Sequence, residues 1–226
     1  MKIILSVLLA ALTCLTYGQT NSEALKVYAG SIGHQSHLSN GTSFESLPVS
    51  EQEFPFYGSS EPEPGTVIFQ GDRYENIFIQ YNLVTDQLIA EVAAAKSEIQ
   101  LVKSGIQKFT LLNHSFIQVK NHHNLPDGYY DLLFDENAKV LAKYEKNLQF
   151  KVWGNKLVHY YISKTKIYIE ISDKVYTIRK KKDVLIAFTQ QRDLIEKGLR
   201  QNKIRFKANP QQYCKEAALL YSTLNH

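Results

Sequence analysis

The chain has 226 residues, 44% of them hydrophobic, and carries 26 Lys and Arg against 22 Asp and Glu for a formal net charge of +4. That length supports one domain with a sizeable core. No segment after the first eighteen residues is long and apolar enough for a transmembrane helix, and with Cys14 and Cys214 as the only cysteines no disulfide framework is available.

The order of features at the start is that of an export signal. Met1-Lys2 is positive, Ile3 to Leu12 is apolar apart from Ser6, and Thr16-Tyr17-Gly18 offers small residues for cleavage before Gln19. The apolar core of about ten residues is too short to span a bilayer as a helix. Residues 1–18 are therefore expected to be a signal peptide, placing the protein in the periplasm or outside the cell. Cys14 is a poor lipidation site because Thr13 precedes it. Removal of the signal leaves Cys214 without an intrachain partner.

Charge is unevenly distributed. Residues 19–100 hold 3 Lys and Arg against 11 Asp and Glu, a net −8, whereas residues 101–226 hold 22 against 11, a net +11. Such an asymmetry arises either from an interaction surface or from two halves that face each other when folded.

Residues 19–64 read as an irregular leader, rich in Ser, Gly, Asn and Glu and interrupted by Pro48, Pro55, Pro62 and Pro64. Leu25 to Tyr28 suggests one short strand, and Phe54, Phe56 and Tyr57 are candidate anchors to the body. From Gly65 the pattern has period two. Strands are expected at 66–70, 73–82, 87–92, 98–103, 107–112 and 115–120, with turns at Gly71-Asp72, Ser104-Gly105 and Asn113-His114. Pro126-Asp127-Gly128 is the clearest turn. Strands at 129–134, 139–144, 157–163, 166–171 and 174–179 follow. Helical spacing takes over at 183–188 and 193–200. Asn209-Pro210 then opens a last helix striped by Tyr213, Ala217, Leu220 and Leu224, with Cys214, Ala218 and Tyr221 beside the stripe. The expected fold is mainly β with C-terminal α: one antiparallel meander, as a curled sheet, sandwich or half-barrel, with two to three C-terminal helices packed on it over residues 65–226.

The residues assemble no coherent catalytic set. His34 and His37 are spaced for a metal only on a helix, which their segment is not. His122-His123 precede a turn. Asp127, Asp131, Asp135 and Glu136 cluster in sequence without the placement that glycoside hydrolysis requires. There is no nucleophile elbow, no phosphate-binding glycine loop and no dinucleotide fingerprint, so no cofactor and no metal are expected. Cys214, within a helical stripe, reads as a small buried hydrophobe.

Two features point to binding. Arg179, Lys180, Lys181 and Lys182, with Arg200 and Lys203 further on, make a basic patch suited to an anionic polysaccharide or an envelope protein; export argues against nucleic acid. Tyr129-Tyr130 and Tyr160-Tyr161 are strand neighbours, so one tyrosine of each pair should face outward. Tyr129, Tyr160 and Tyr168 are the candidates for an aromatic surface.

The stretch Gly65 to Ile89 carries Gly65, Val67, Phe69, Gly71, Tyr74, Asn76, Ile77, Ile79, Tyr81, Leu83, Asp86 and Leu88 in an order that resembles an uncharacterised family of small exported β-rich proteins of Bacteroidota. Gly128 to Lys146 is similar to that family's next block. The resemblance implies export and a β-rich fold, and brings no site residues with it. The expected function is non-enzymatic binding in the envelope or outside the cell; the alternative is a periplasmic hydrolase whose Asp and His residues converge only on folding.

Overall fold

The computed structural model describes residues 42–44, 47–50, 52–92 and 97–225. The signal segment, the strand expected at Leu25–Tyr28 and the His34/His37 pair lie outside them. The described residues belong to one unit, 41–226.

Period-two alternation produces ten strands in one antiparallel sheet: β2 (Glu63–Phe69), β3 (Asp72–Asn82), β4 (Gln87–Val92), β5 (Ser97–Gln100), β6 (Ile106–Leu111), β7 (His114–Val119), β8 (Gly128–Asp135), β9 (Lys139–Trp153), β10 (Lys156–Ile171) and β11 (Lys174–Ile178). A two-residue strand, β1 (Thr42–Ser43), adds to β5 at one edge. The order β1-β5-β4-β3-β2-β6-β7-β8-β9-β10-β11 leaves β1 and β11 unpaired with each other, so the sheet is open. It is a meander except that β6 returns to the far side of β2.

Register is set by tight turns. Gln70 and Gly71 both have positive φ (52° and 92°), as do Leu112 and Asn113, and Ser172 and Asp173. Two successive positive values are the signature of the hairpin turn whose twist matches that of the strands. The first two turns therefore sit one residue earlier than the expected Gly71-Asp72 and Asn113-His114.

The sheet curls because its strands are bent. Register shifts at Gly65/Val67, Ile68/Phe69 and Leu132/Phe134 mark bulges. The curl carries the β3–β4 turn to β9, where the Lys146 N–H donates to the Leu83 carbonyl (3.0 Å). Inside this half-barrel Tyr81, Phe109, Phe116 and Tyr129 are fully buried. Phe109 and Phe116 stack at 4.7 Å, and Tyr81 and Tyr129 meet Phe109 edge-on.

The described part of the leader is tied down. Phe56 is buried and bridges to Asn82. The Tyr57 N–H donates to the Tyr81 carbonyl (2.9 Å) and the Leu83 N–H to that of Pro55 (2.9 Å). Lys146 Nζ donates to the carbonyls of Phe54 and Phe56 (2.8 and 2.9 Å).

Three helices close the chain: α1 (Lys181–Ala187), α2 (Arg192–Gln201) and α3 (Pro210–Leu224). Asn209 caps α3 by accepting from the Gln212 N–H (2.9 Å). Val184, Ile195, Leu199, Tyr213, Cys214, Ala217 and Ala218 pack on Val140, Ile167, Ile169 and Ile178. On α3 Tyr213, Cys214, Ala217 and Ala218 are buried as the spacing predicts; Ser222 joins them, and only Leu224, in the last turn, departs from the stripe and is exposed. A side chain on Gly198 would meet Leu220 Cδ1 at 2.8 Å, so its absence lets α2 approach α3. Burial pushes the Cys214 thiol up to about 12, which leaves it inert, as a packed small hydrophobe should be.

Two strand expectations are corrected. β10 is continuous across Ser163 to Lys166, which read as a break, and β9 runs nine residues past Tyr144. The two strands pair directly from Lys139↔Glu170 to Trp153↔Lys156.

Candidate anion-binding site

Where β11 gives way to α1, the Ile178 side chain turns into the core and Arg179 to Lys182 emerge at the surface. Asp183 fixes this corner by accepting the backbone N–H groups of Arg179 (2.9 Å) and Lys180 (3.0 Å). The Arg179 N–H bond is the main reason its carboxyl lies below the usual range. The carboxylate of Asp183 is thus taken up by the backbone of the corner, while Lys181 pairs with Glu196.

The opposite wall begins at the end of α2. The Ile204 N–H reaches back to the Leu199 carbonyl (3.0 Å) and the Lys203 N–H to that of Arg200 (3.0 Å). This closure needs a left-handed residue, and Lys203 supplies it with φ +57° where glycine is the usual choice. A non-glycine residue there costs roughly 1–2 kcal/mol. Lys203→Gly is accordingly expected to stabilise the fold by about 1 kcal/mol while weakening anion binding. Urea unfolding beside a binding titration checks both, and a destabilised variant would refute the strain.

Between the two walls lies a groove of about 910 Å³. Arg179, Lys180, Lys181, Lys182, Arg200 and Lys203 all line it, joined by Arg205 and Lys207. The remaining lining is Ile204, Phe206 and Tyr213, with Phe206 and Tyr213 edge-to-face at 5.5 Å. Glu196 offsets two of these charges, accepting from Lys181 Nζ (2.7 Å) and Arg200 Nη2 (2.9 Å). Those two bonds hold its carboxyl down at about 2, so it stays ionised through the ordinary pH range. Burial, reinforced by Glu196, pushes the Tyr213 hydroxyl up to about 12, so it remains a protonated donor. That buried hydroxyl has no hydrogen-bond partner among the described residues. A second cavity of about 830 Å³ shares Arg179 and Phe206 with the groove and adds Lys164 and Lys166, so positive charge continues past Phe206.

Comparison with protein families, with curated proteins and with solved structures finds no match.

The expected aromatic surface is corrected. Tyr129 and Tyr130 are both fully buried and Tyr168 is 6% exposed. Alternation places the two neighbours on opposite faces as expected, but both faces are covered here. Tyr129 enters the half-barrel, whereas Tyr130 and Tyr168 pack with Leu125 and Leu141 beneath the 121–127 loop. Only Tyr160 keeps partial exposure, on the long β9–β10 hairpin.

Among the described residues folding brings together two acid–imidazole pairs that the sequence did not reveal, His114–Asp131 and His122–Glu170. His114 Nδ1 lies 2.6 Å from Asp131 Oδ2, which also accepts from the Tyr144 hydroxyl (2.9 Å); Gln211 Nε2 donates to that hydroxyl (2.8 Å). Asp131 is buried and His114 half-buried beside a cavity of about 300 Å³. Asp127 instead accepts the Asn121 N–H in its turn, and His122 Nε2 sits 3.3 Å from Glu170. His159 lies on the hairpin against Tyr161. No cluster of three or more metal-ligating side chains occurs among the described residues.

Proposed function

We propose that this is an exported, non-enzymatic protein of the cell envelope or extracellular space that binds an anionic polymer, with an acidic polysaccharide as the ligand class, through the groove between α1 and the α2–α3 loop. The observation that carries this reading is the convergence of eight cations, separated in sequence by up to 28 positions, on one groove where, among the described residues, Glu196 is ion-paired with two of them and Asp183 is bound to the backbone of the corner. Like charges repel when gathered, so grouping them raises the free energy of the empty protein and is relieved by a polyanion. The second cavity, reached past Arg179 and Phe206, suits an extended ligand better than a single ion. Phe206 and Ile204 supply an apolar floor against which a sugar ring can pack.

The test is a titration of the mature protein with a fluorescent sulfated or uronic-acid oligosaccharide at low and raised salt. Binding should weaken with salt, and Lys180→Ala/Lys181→Ala/Lys182→Ala should lose at least about tenfold in affinity. A triple variant that binds as the wild type does would overturn the groove assignment.

The His114–Asp131 pair is the observation that favours a hydrolase instead. A buried carboxylate orienting a half-exposed imidazole is half of a nucleophilic site. The Ser115 hydroxyl, its nearest neighbour in sequence, has no hydrogen-bond partner among the described residues, so no nucleophile is engaged by His114. Binding is therefore the leading reading.

A further inference from the structure

β8 pairs with β9 only as far as Ala142, and β11 pairs with β10 only from Ile167 onward. Beyond those points β9 and β10 pair with each other, and only the base is held further, by the Lys146 N–H bond to the Leu83 carbonyl and by the leader. There Glu53 accepts the Tyr161 N–H (2.6 Å) and Pro48 accepts the Tyr161 hydroxyl (2.7 Å). From Gln149 to Tyr160 a two-stranded arm stands clear of the sheet.

The end of this arm is apolar on both faces. Val152 is 74% exposed, Trp153 71%, Leu157 70% and Phe150 54%. Direct pairing puts Val152 beside Leu157 on one face, with Phe150 next along it; Trp153 and Val158 occupy the other. The polar side chains among them are cationic or neutral. Lys151 lies over the Trp153 ring at 5.0 Å and over Tyr160 at 5.3 Å, Lys156 pairs with Trp153, and no Asp or Glu occurs between Lys146 and Ile169.

We propose that this arm is an interfacial anchor whose tip inserts shallowly into an anionic phospholipid bilayer. Charge selects this occupant over others. A second copy of the chain would bring Lys151 and Lys156 against their own equivalents with no acid to offset them. A soluble polyanion would satisfy the lysines and leave Val152, Leu157 and Phe150 in water. An anionic bilayer satisfies both sets at once: headgroups meet the lysines, the acyl boundary takes the aliphatic and phenyl groups, and the Trp153 and Tyr160 rings sit at the level between. The unpaired edges of the two strands limit the depth, because backbone N–H and C=O groups without partners are excluded from the hydrocarbon core. The inference rests on the arm alone and is independent of the groove.

Trp153 is the chain's single tryptophan, so its fluorescence reports the tip directly. The experiment mixes the protein with vesicles of phosphatidylcholine, with or without phosphatidylglycerol, and reads Trp153 emission, iodide quenching and co-sedimentation. Anionic vesicles should shift the emission to the blue, shield the ring from iodide and bind at least about tenfold more tightly than neutral ones. Phe150→Ser/Val152→Ser/Leu157→Ser keeps the reporter and alters only exposed side chains; it should abolish the shift and lose at least about tenfold in sedimentation. Lys180→Ala/Lys181→Ala/Lys182→Ala should retain the shift, which separates the arm from the groove. The proposal is overturned by unchanged emission on anionic vesicles, by a tip variant that sediments as the wild type does, or by loss of the shift in the groove variant. A shift that grows with protein concentration without lipid, or one produced equally by dextran sulfate, overturns it as well.

Discussion

Asp86→Ala should destabilise the fold by about 3–5 kcal/mol, the cost of leaving a buried charge without its partner. Asp86 sits in the β3–β4 turn where the curled sheet meets β8 and β9. Its carboxylate accepts from the Tyr81 hydroxyl (2.6 Å), Lys103 Nζ (2.7 Å) and Lys143 Nζ (3.3 Å). Lys143 is the decisive partner, because its side chain is only 7% exposed and pairs with no other carboxylate among the described residues. Gly128 completes the packing. It has φ +145°, and a side chain there would overlap both Lys143 Nζ and Asp86 Oδ2. The double substitution Asp86→Ala/Lys143→Met should recover most of the loss, since it removes the orphaned charge along with the pair. Urea unfolding of the three proteins tests this, and a single variant within about 1 kcal/mol of wild type would contradict it.

The same carboxylate sets an acid limit. Burial pushes its pKa up, but the hydrogen bonds from Lys103 and Tyr81 and the charge on Lys143 outweigh burial and hold it below the ordinary 3.8. A carboxylate depressed in the folded state contributes fully above the unfolded-state value and loses that contribution as pH falls through the folded one. Wild-type stability should therefore fall more steeply below pH 3.8 than that of Asp86→Ala/Lys143→Met.

Phe116→Ala carries an expected cost of about 3–5 kcal/mol, as for other buried phenylalanines cut back to alanine. Phe116 is fully buried, stacked on Phe109 and met edge-on by Tyr81 at 5.2 Å and Tyr57 at 5.1 Å. Its loss leaves a cavity that the closed backbone ladders on both sides cannot collapse, and it removes the ring against which the leader's Tyr57 is seated. Phe116→Leu should cost less, because it returns part of the volume without the aromatic contacts. Denaturant unfolding together with limited proteolysis between Pro48 and Gly58 would show both effects. A protein whose leader stays protected in Phe116→Ala would separate the core from the leader and refute the second.

The strand pattern was legible wherever one face of a strand is buried and the other is not. Ile167, Ile169 and Ile171 against Tyr168 and Glu170 announced β10, and Val184, Ile195 and Leu199 announced the helices that cover it. It failed where that condition fails. Residues 149–153 lie on an arm buried on neither face, so apolar and polar residues mix without parity. Ser163 to Lys166 resembles a turn because its strand runs past the end of the sheet, where nothing requires apolar side chains. Tyr129 and Tyr168 were misplaced for the opposite reason, since both faces are covered around them.

The basic patch was legible as composition, because Arg179 to Lys182, Arg200 and Lys203 are cations whatever their arrangement. Arg205 and Lys207 are brought to the same groove only by the Lys203 corner, a left-handed turn without the glycine that would have signalled it. The His114–Asp131 pair depends on the register Phe116↔Asp131 between β7 and β8, which leaves no trace in either segment read alone.

Local chemistry thus determined the elements, the turns and the inventory of charges and rings, because each depends on neighbours within a few residues along the chain. The curl of the sheet, the convergence of cations between α1 and the α2–α3 loop, the carboxylate of Asp86 between Lys103 and Lys143, and the arm that leaves Trp153 in solvent were decided by tertiary structure. They depend on bulges, register and strand order, which are set by contacts between residues far apart in the chain.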